Sequence, residues 1–168
     1  MKLPEIALFV MDVDGTLTNG CMYYTADGEF MKRFHTRDGH GIQLLREQGI
    51  PAAIITSEES EIALRRAEKL RVNDVSIGVK DKVACLQDVC DRMKVSFENV
   101  AYVGDDVNDL AVMKAVGVSF AVGDAHDTVR SAADIVLTAR GGEGAVREAV
   151  DLILASMDPA GTGGDIHA

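Results

Sequence analysis

The stretch Ala7-Leu8-Phe9-Val10-Met11-Asp12-Val13-Asp14-Gly15-Thr16 decides the fold, because an apolar run of strand length leads directly into two carboxylates. Such a run is typical of a strand that is buried on both faces of a parallel sheet. Side chains at positions i and i+2 of an extended chain point the same way, so we expect Asp12 and Asp14 on one side. They follow the carboxyl end of the strand, where open α/β sheets bind their ligands, and Gly15 permits a sharp turn there. Two neighbouring carboxylates repel each other unless a cation or a shared proton relieves them, so the stretch is either part of a site or an acidic loop.

The composition is that of an ordinary globular protein and restricts its partners. A chain of 168 residues is long enough for one domain with a substantial core, and we expect that domain over residues 1–157, followed by a flexible tail at 158–168. The formal net charge of −10 argues against nucleic acids and anionic membranes as partners. The first apolar run is too short for a signal sequence or a membrane span, which favours a cytoplasmic location.

Strand-like and helical segments alternate along the chain, which predicts an α/β domain with a mostly parallel, doubly wound sheet. The later strands are expected at 51–55, 75–77, 100–103, 118–122 and 135–137. Ser57 is expected to cap a helix that ends near Leu70. Residues 20–35 differ, because two strand-like segments flank the turn residues 26–29 and predict a β-hairpin that can act as a small flap.

Polar side chains follow four of the predicted strands. In a doubly wound sheet these strand ends lie along one edge, so their side chains can converge. Each signal alone has an ordinary explanation: a hydroxyl is usually a helix cap, a lysine at a helix start is usually solvated, and Gly-Asp-Asp is often a turn. Their joint occurrence in this order indicates a site formed by Asp12, Asp14, Thr56, Lys82, Asp105 and Asp106.

Phosphoryl transfer is the chemistry that needs these groups. Oxygen-only ligands select a hard cation, so Asp12 and Asp105, with a backbone carbonyl and waters, are suited to Mg²⁺. The metal offsets the repulsion between carboxylate and phosphate, which lets an aspartate attack phosphorus. Lys82 and the Thr56 hydroxyl would hold the phosphoryl oxygens as charge spreads over them. A second acid beside the nucleophile can protonate the leaving alkoxide and then activate water.

These residues resemble the four motifs of the haloacid dehalogenase superfamily of phosphatases. Asp12–Thr16 is similar to its D-x-D-G-[TV] motif, Thr56 to its strand-end hydroxyl, Lys82 to its lysine and Gly104–Asp109 to its G-D-D-x-x-D motif. A Rossmann-like fold is therefore expected.

The resemblance also implies a role for each matching residue. Asp12 would be the nucleophile and Asp14 the general acid and base, while Asp12, the Asp14 carbonyl and Asp105 would hold Mg²⁺. The residues expected to bind substrate are Thr56, Ser57, Glu58, Arg66, Lys69, Lys82, Asn108, Arg37, Asp38 and Gly39.

A narrower resemblance is to the 3-deoxy-D-manno-octulosonate 8-phosphate phosphatase group, whose members lack an inserted cap domain and carry a hairpin flap. Phe34–Gly41 is similar to F-x-x-[RS]-D-x-x-G, and Gly141–Glu148 to G-G-x-G-x-x-R-E, so the resemblance covers residues 5 to about 155. It implies a homotetramer in which the hairpins assemble and a neighbouring subunit covers the site, which would exclude water.

The expected substrate is a 2-keto-3-deoxy sugar acid phosphate of sialic acid or lipopolysaccharide biosynthesis. Members that act on the eight-carbon compound carry Arg where this chain has Glu58 and Gln43. Members that act on 2-keto-3-deoxynononate 9-phosphate carry Glu, with Arg and Lys on the next helix, as Arg66 and Lys69 are here. The nine-carbon substrate is therefore favoured and the eight-carbon substrate is the alternative. The ordinary explanation is that Glu58 lies in a first helical turn and the two cations on a solvated face.

Two other classes compete with a phosphatase. A receiver-like signalling domain also carries acidic strand ends, a Thr or Ser and a Lys, but it lacks the D-x-D spacing, the flap and the late Gly-Asp-Asp. A catalytically silent oligomerisation domain would have no need of all four of Asp12, Asp14, Lys82 and Asp105.

Overall fold

A six-stranded parallel sheet forms the centre of the structure, a computed structural model that describes residues 3–157. The strands are β1 (Leu8–Met11), β2 (Tyr23–Thr25), β3 (Gly28–Met31), β4 (Ala52–Ile55), β5 (Asp74–Ser76), β6 (Val100–Gly104), β7 (Val118–Ala121) and β8 (Ile135–Val136). The sheet order is β5-β4-β1-β6-β7-β8, with every pairing parallel. Successive strands are added outward on both sides of β1, which confirms the doubly wound, Rossmann-like α/β fold.

Helices follow the strands along the chain. They are α1 (Thr36–Glu47), α2 (Glu61–Leu70), α3 (Lys82–Met93), α4 (Leu110–Met113), α5 (Asp127–Ala132) and α6 (Ala145–Met157), with 3-10 turns at Phe97–Asn99 and Val107–Asp109. Within residues 3–157, no helix combines the length and apolar character needed to cross a membrane. The predicted tail at 158–168 lies outside the described residues.

Strand β1 lies in the buried centre of the sheet. All four of its side chains are fully buried, which shows that both faces of the sheet are covered at this point. Phe9 is paired with Ala52 of β4 on one side and Ala101 of β6 on the other. The reversal of strand order falls between β1 and β6, so the carboxyl ends of these two strands border the crevice where doubly wound sheets bind ligands.

The predicted hairpin is present as the antiparallel pair β2–β3. Thr25 pairs with Gly28, so the connection is the two-residue turn Ala26-Asp27, and β3 begins earlier than the strand-like segment at Phe30 suggested. The large side chains of Tyr24 and Phe30 are 60% and 57% exposed, so this small sheet has an uncovered apolar surface.

The predicted start of the second helix is wrong. Ser60, not Ser57, caps α2, and its hydroxyl accepts a hydrogen bond from the backbone N–H of Ala63. The intervening loop is held beside a neighbouring loop, because Val79 donates to the carbonyl of Thr56 and Gly78 to that of Glu58. These contacts keep the segment out of helical geometry, which places Glu58 in an exposed loop.

A glycine pair near the end of the chain packs against the loop that follows β1. The backbone N–H of Gly142 donates to the carbonyl of Thr16 at 3.0 Å, and Gly142 has a φ of +65°. A Cβ atom at Gly141 would overlap the carbonyl oxygen of Gly15. This close backbone approach supports the turn that carries Asp14.

We expect Gly141→Ala to destabilise the protein by about 3 kcal/mol, because a backbone clash is not relieved by rotating a side chain. Gly49→Ala is the control, since Gly49 has open space around it and a φ of +79°, so only backbone strain of about 1 kcal/mol is expected there. Thermal unfolding of both variants checks the difference. An equal loss of stability in the two variants would contradict the close approach of the two loops.

Candidate functional site

Three carboxylates converge where β1 and β6 end. Asp12 follows β1, Asp105 follows β6, and Asp109 closes the 3-10 turn Val107–Asp109. One oxygen from each of the three lies within 4.8 Å of the other two. Neighbouring parallel strands bring their carboxyl ends together, which explains why residues 93 positions apart (12 and 105) meet. An all-oxygen donor set of this kind fits a hard divalent cation such as Mg²⁺.

Asp109 differs from the other two carboxylates because it accepts four hydrogen bonds, whereas Asp12 accepts one from the backbone N–H of Val13 and Asp105 one from the hydroxyl of Thr16. Its Oδ1 accepts from Lys82 Nζ at 2.6 Å and from the hydroxyl of Tyr102 at 2.7 Å. Its Oδ2 accepts from the backbone N–H of Asp105 at 3.0 Å. Asp109 therefore anchors Lys82 and the Asp105 loop, which leaves Asp12 and Asp105 as the carboxylates available to a metal ion.

Lys82 is held between two of these carboxylates at the first residue of α3. Its Nζ lies 3.0 Å from Asp12 Oδ2, and the lysine is only 3% exposed. Asp81 fixes this end of the helix by accepting from the backbone N–H groups of Val83 and Ala84. Burial alone would lower the pKa of Lys82, but Asp12 and Asp109 more than offset it and raise the pKa, so the ammonium stays charged.

Burial and the crowding of acids raise the pKa of two of the carboxyl groups. Burial, together with the neighbouring Asp109, raises the pKa of Asp12 to about 6 despite the contact with Lys82. Burial, together with Asp12 and Asp109, raises the pKa of Asp105 to about 8. The cluster therefore has more negative charge than Lys82 can balance, and a bound cation would stabilise it.

Asp14 lies outside this cluster and has a cation of its own. Its Oδ1 accepts a hydrogen bond from Lys32 Nζ at 2.5 Å, and Lys32 also contacts Glu29 Oε1 at 2.7 Å. Burial alone would lower the pKa of Lys32, but these two carboxylates more than offset it and raise the pKa. Lys32 is not among the residues predicted from the sequence. A second acid beside Asp12 needs a cation to neutralise it, and this need was a signal for the lysine of the hairpin.

Two of the predicted substrate-binding residues near the strand ends, Ser57 and Asn108, contact each other. Thr56, the residue that follows β4, is buried. Asn108 Nδ2 donates a hydrogen bond to Ser57 Oγ at 3.2 Å. This hydrogen bond joins the loop after β4 to the 3-10 turn that carries Asp109. Glu58 and Lys69 are both exposed, and they form no ion pair among those found within residues 3–157.

The remaining predicted substrate-binding residues are engaged with α1, α2 and α6. Arg66 stacks over the Phe34 ring at 5.3 Å and donates to the carbonyl of His35. A Cβ at Gly39 would come within 2.9 Å of the Arg66 guanidinium. Asp38 is buried and accepts from the backbone N–H of Arg147 in the first turn of α6, while Arg37 is exposed. Arg66, Gly39 and Asp38 therefore contact protein groups beside α1, α2 and α6.

The comparisons with known families and known sequences agree with each other. A family model described as haloacid dehalogenase-like hydrolase matches residues 72–149. A 3-deoxy-D-manno-octulosonate 8-phosphate phosphatase of Haemophilus influenzae is 42% identical over 153 residues, which are 91% of this chain and 85% of that protein.

Solved structures agree with the sequence relatives. A cobalt-bound deoxy-D-mannose-octulosonate 8-phosphate phosphatase of Haemophilus influenzae has a TM-score of 0.90 and 41% identity, covering 93% of this chain and 91% of that one. A 3-deoxy-D-manno-octulosonate 8-phosphate phosphatase of Moraxella catarrhalis, in complex with magnesium, phosphate and KDO, has a TM-score of 0.87 and 37% identity, covering 90% of this chain and 87% of that one.

We expect the metal-free protein to lose stability as the pH rises from 5.5 to 8.5. The pKa values of Asp12 and Asp105 are raised in the folded state, so the fold holds protons there that are lost as the pH passes about 6 and about 8. Mg²⁺ can replace those protons, so its addition should raise the Tm more at pH 8.5 than at pH 5.5. Thermal unfolding with and without Mg²⁺ measures both effects.

The variant Asp105→Asn should flatten this pH dependence, whereas Asp27→Asn, in the exposed hairpin turn, should leave it unchanged. A metal-free Tm that stays constant or rises over this pH range in the unsubstituted protein would contradict the proposed crowding.

Proposed function

Because the chain belongs to the haloacid dehalogenase-like hydrolase family and is a phosphatase, we propose that it hydrolyses 3-deoxy-D-manno-octulosonate 8-phosphate in a Mg²⁺-dependent reaction. The observation that carries the choice of substrate is the similarity to eight-carbon sugar acid phosphatases, at 37–42% identity over at least nine-tenths of this chain. A phosphorylated sugar acid is the substrate class in either case.

The first chemical step in this proposal is attack by Asp12 on phosphorus. Its carboxylate oxygen forms the new P–O bond as the bond to the sugar oxygen breaks, and Asp14 gives its proton to the departing alkoxide. Lys82, beside Asp12, and the Thr56 hydroxyl hold the phosphoryl oxygens in place. A Mg²⁺ ion held by Asp12, Asp105 and the carbonyl of Asp14 would supply positive charge that offsets carboxylate–phosphate repulsion.

The second step returns the enzyme to its starting state. Asp14 now accepts a proton from water as the water oxygen attacks the phosphorus of the aspartyl phosphate. The bond between phosphorus and Asp12 breaks, inorganic phosphate leaves, and Asp14 again carries the proton. One acid serves both steps because its carboxyl group lies beside the nucleophile but outside the cluster of Asp12, Asp105 and Asp109.

The nine-carbon substrate favoured by Glu58, Arg66 and Lys69 gains no support from these relatives. Arg66 stacks on Phe34, and Glu58 lies in an exposed loop, so the contacts seen here do not distinguish the two substrates. Roles for Arg37, Asp38 and Gly39 in substrate binding stay predictions. The exposed side chains of the hairpin support the proposal of a homotetramer whose hairpins assemble together and whose neighbouring subunits cover the site.

We expect Asp12→Asn to lower phosphatase activity on the order of 10³-fold or more, because the amide cannot act as the nucleophile. EDTA should silence the unsubstituted enzyme, and added Mg²⁺ should restore it. The assay is phosphate release, with Asp27→Asn as the control. Turnover that survives either treatment would overturn the mechanism.

A side-by-side comparison of kcat/KM decides the substrate. We expect the eight-carbon sugar acid 8-phosphate to be preferred over 2-keto-3-deoxynononate 9-phosphate on the order of tenfold or more, since specificity follows differential binding in the transition state. Equal values, or preference for the nine-carbon compound, would refute the eight-carbon assignment and restore the prediction made from Glu58 and Gln43.

A further inference from the structure

A buried lysine contacts one oxygen of Asp14. Lys32 follows β3 directly, and its side chain is 0% exposed. Its Nζ donates to Asp14 Oδ1 at 2.5 Å, whereas Asp14 Oδ2 is buried and has no hydrogen-bond partner among residues 3–157. The two oxygens of one carboxylate are therefore distinguished by the protein.

The lysine is itself fixed from the opposite side. Glu29 of β3 contacts Lys32 Nζ through Oε1 and accepts from the hydroxyl of Ser60 through Oε2 at 2.6 Å. Ser60 is the N-cap of α2, so its position is set by the helix. The chain of contacts Asp14–Lys32–Glu29–Ser60 thus joins the loop after β1, the hairpin and α2.

This arrangement is built from groups that are costly to bury. A lysine side chain with no exposed surface is stable only when its charge is paired, and here two carboxylates pair with it. Its removal would leave Asp14 and Glu29 without the cation between them. A surface ion pair would be mobile, but a buried one with the Ser60–Glu29 hydrogen bond behind it restricts the rotation of the Asp14 side chain.

We propose that Lys32 is a positioning residue that holds Asp14 Oδ1 and so fixes the orientation of the carboxyl group that exchanges protons with the substrate oxygen and water. This inference rests on the proposed function, because it assumes that Asp14 is the general acid and base. Glu29 and Ser60 hold Lys32 in place, which makes the base of the hairpin a part of the acid/base machinery.

The test compares two leaving groups. A sugar alkoxide needs a proton in order to leave, whereas the nitrophenolate of p-nitrophenyl phosphate leaves without one, and kcat/KM for both substrates reports the steps up to transfer of the phosphoryl group. We expect Lys32→Met to lower kcat/KM on the order of 100-fold for the sugar acid phosphate that the unsubstituted enzyme prefers. The loss for p-nitrophenyl phosphate should be smaller by a factor of about 10 or more.

Controls separate positioning from folding. Lys114→Met removes an exposed lysine and should change neither substrate's kcat/KM. Lys32→Gln replaces Lys32→Met if the methionine variant does not fold. The glutamine side chain is one bond shorter than that of lysine, so its amide does not reach Asp14 and the same selective loss is expected. Glu29→Gln removes the negative charge that holds Lys32 from the opposite side, so it should lower kcat/KM more for the sugar acid phosphate than for p-nitrophenyl phosphate, by a smaller factor than Lys32→Met does.

A double variant makes the inference falsifiable. Once Asp14→Asn has removed the acid, adding Lys32→Met should cost little more activity on the sugar acid phosphate, because the two residues act as a unit. Equal losses on both substrates in Lys32→Met, or fully additive losses in the double variant, would overturn the inference. Asp14→Asn alone tests the proposed function, since unimpaired hydrolysis of the sugar acid phosphate in that variant would show that Asp14 is not the acid.

Discussion

The rest of the site is arranged around the cluster of Asp12, Asp105 and Asp109, two of which contact the buried Lys82. Lys82 contacts Asp12 and Asp109 within 3.0 Å, and the three carboxylates have more charge than it can balance. Such an arrangement is destabilising by itself, because burial disfavours every unpaired carboxylate. Its value lies in binding: a divalent cation would supply the positive charge that the cluster lacks, and that charge would in turn attract the anionic phosphoryl group.

The fold makes this arrangement possible by the position of β1. Because β1 lies between β4 and β6 and the strand order reverses beside it, residues distant in sequence end at one crevice. Gly141 and Gly142 add a second support, since their backbone packs against the loop at Gly15. The sheet therefore fixes Asp12 and Asp105 directly, because they follow β1 and β6. The side chain of Asp14 is instead held by Lys32, which follows the hairpin strand β3.

Much of this arrangement could be predicted from the sequence, because the strong signals were local. The apolar run before Asp12 indicated a buried central strand, and the polar residues after β1, β4 and β6 indicated a common edge. The prediction failed at Ser57, because hydrogen bonds from the 78–79 loop hold the segment before Ser60 out of the helix. No local pattern reveals such a tertiary contact. Asp109 belongs to the Gly104–Asp109 motif, but its contact with Lys82 is tertiary, as is the contact of Lys32 with Asp14, 18 residues away.

In the proposed mechanism Asp12 forms a covalent bond to phosphorus. Rapid acid quenching of the Mg²⁺-loaded enzyme during turnover, followed by borohydride reduction and peptide mass spectrometry, detects this bond, because borohydride converts an aspartyl phosphate into homoserine. If Asp12 is the nucleophile, homoserine will be found at position 12 of the peptide that carries Asp12 and Asp14. Homoserine at position 14 or 105 instead, or at no position while turnover proceeds, would show that Asp12 is not the nucleophile.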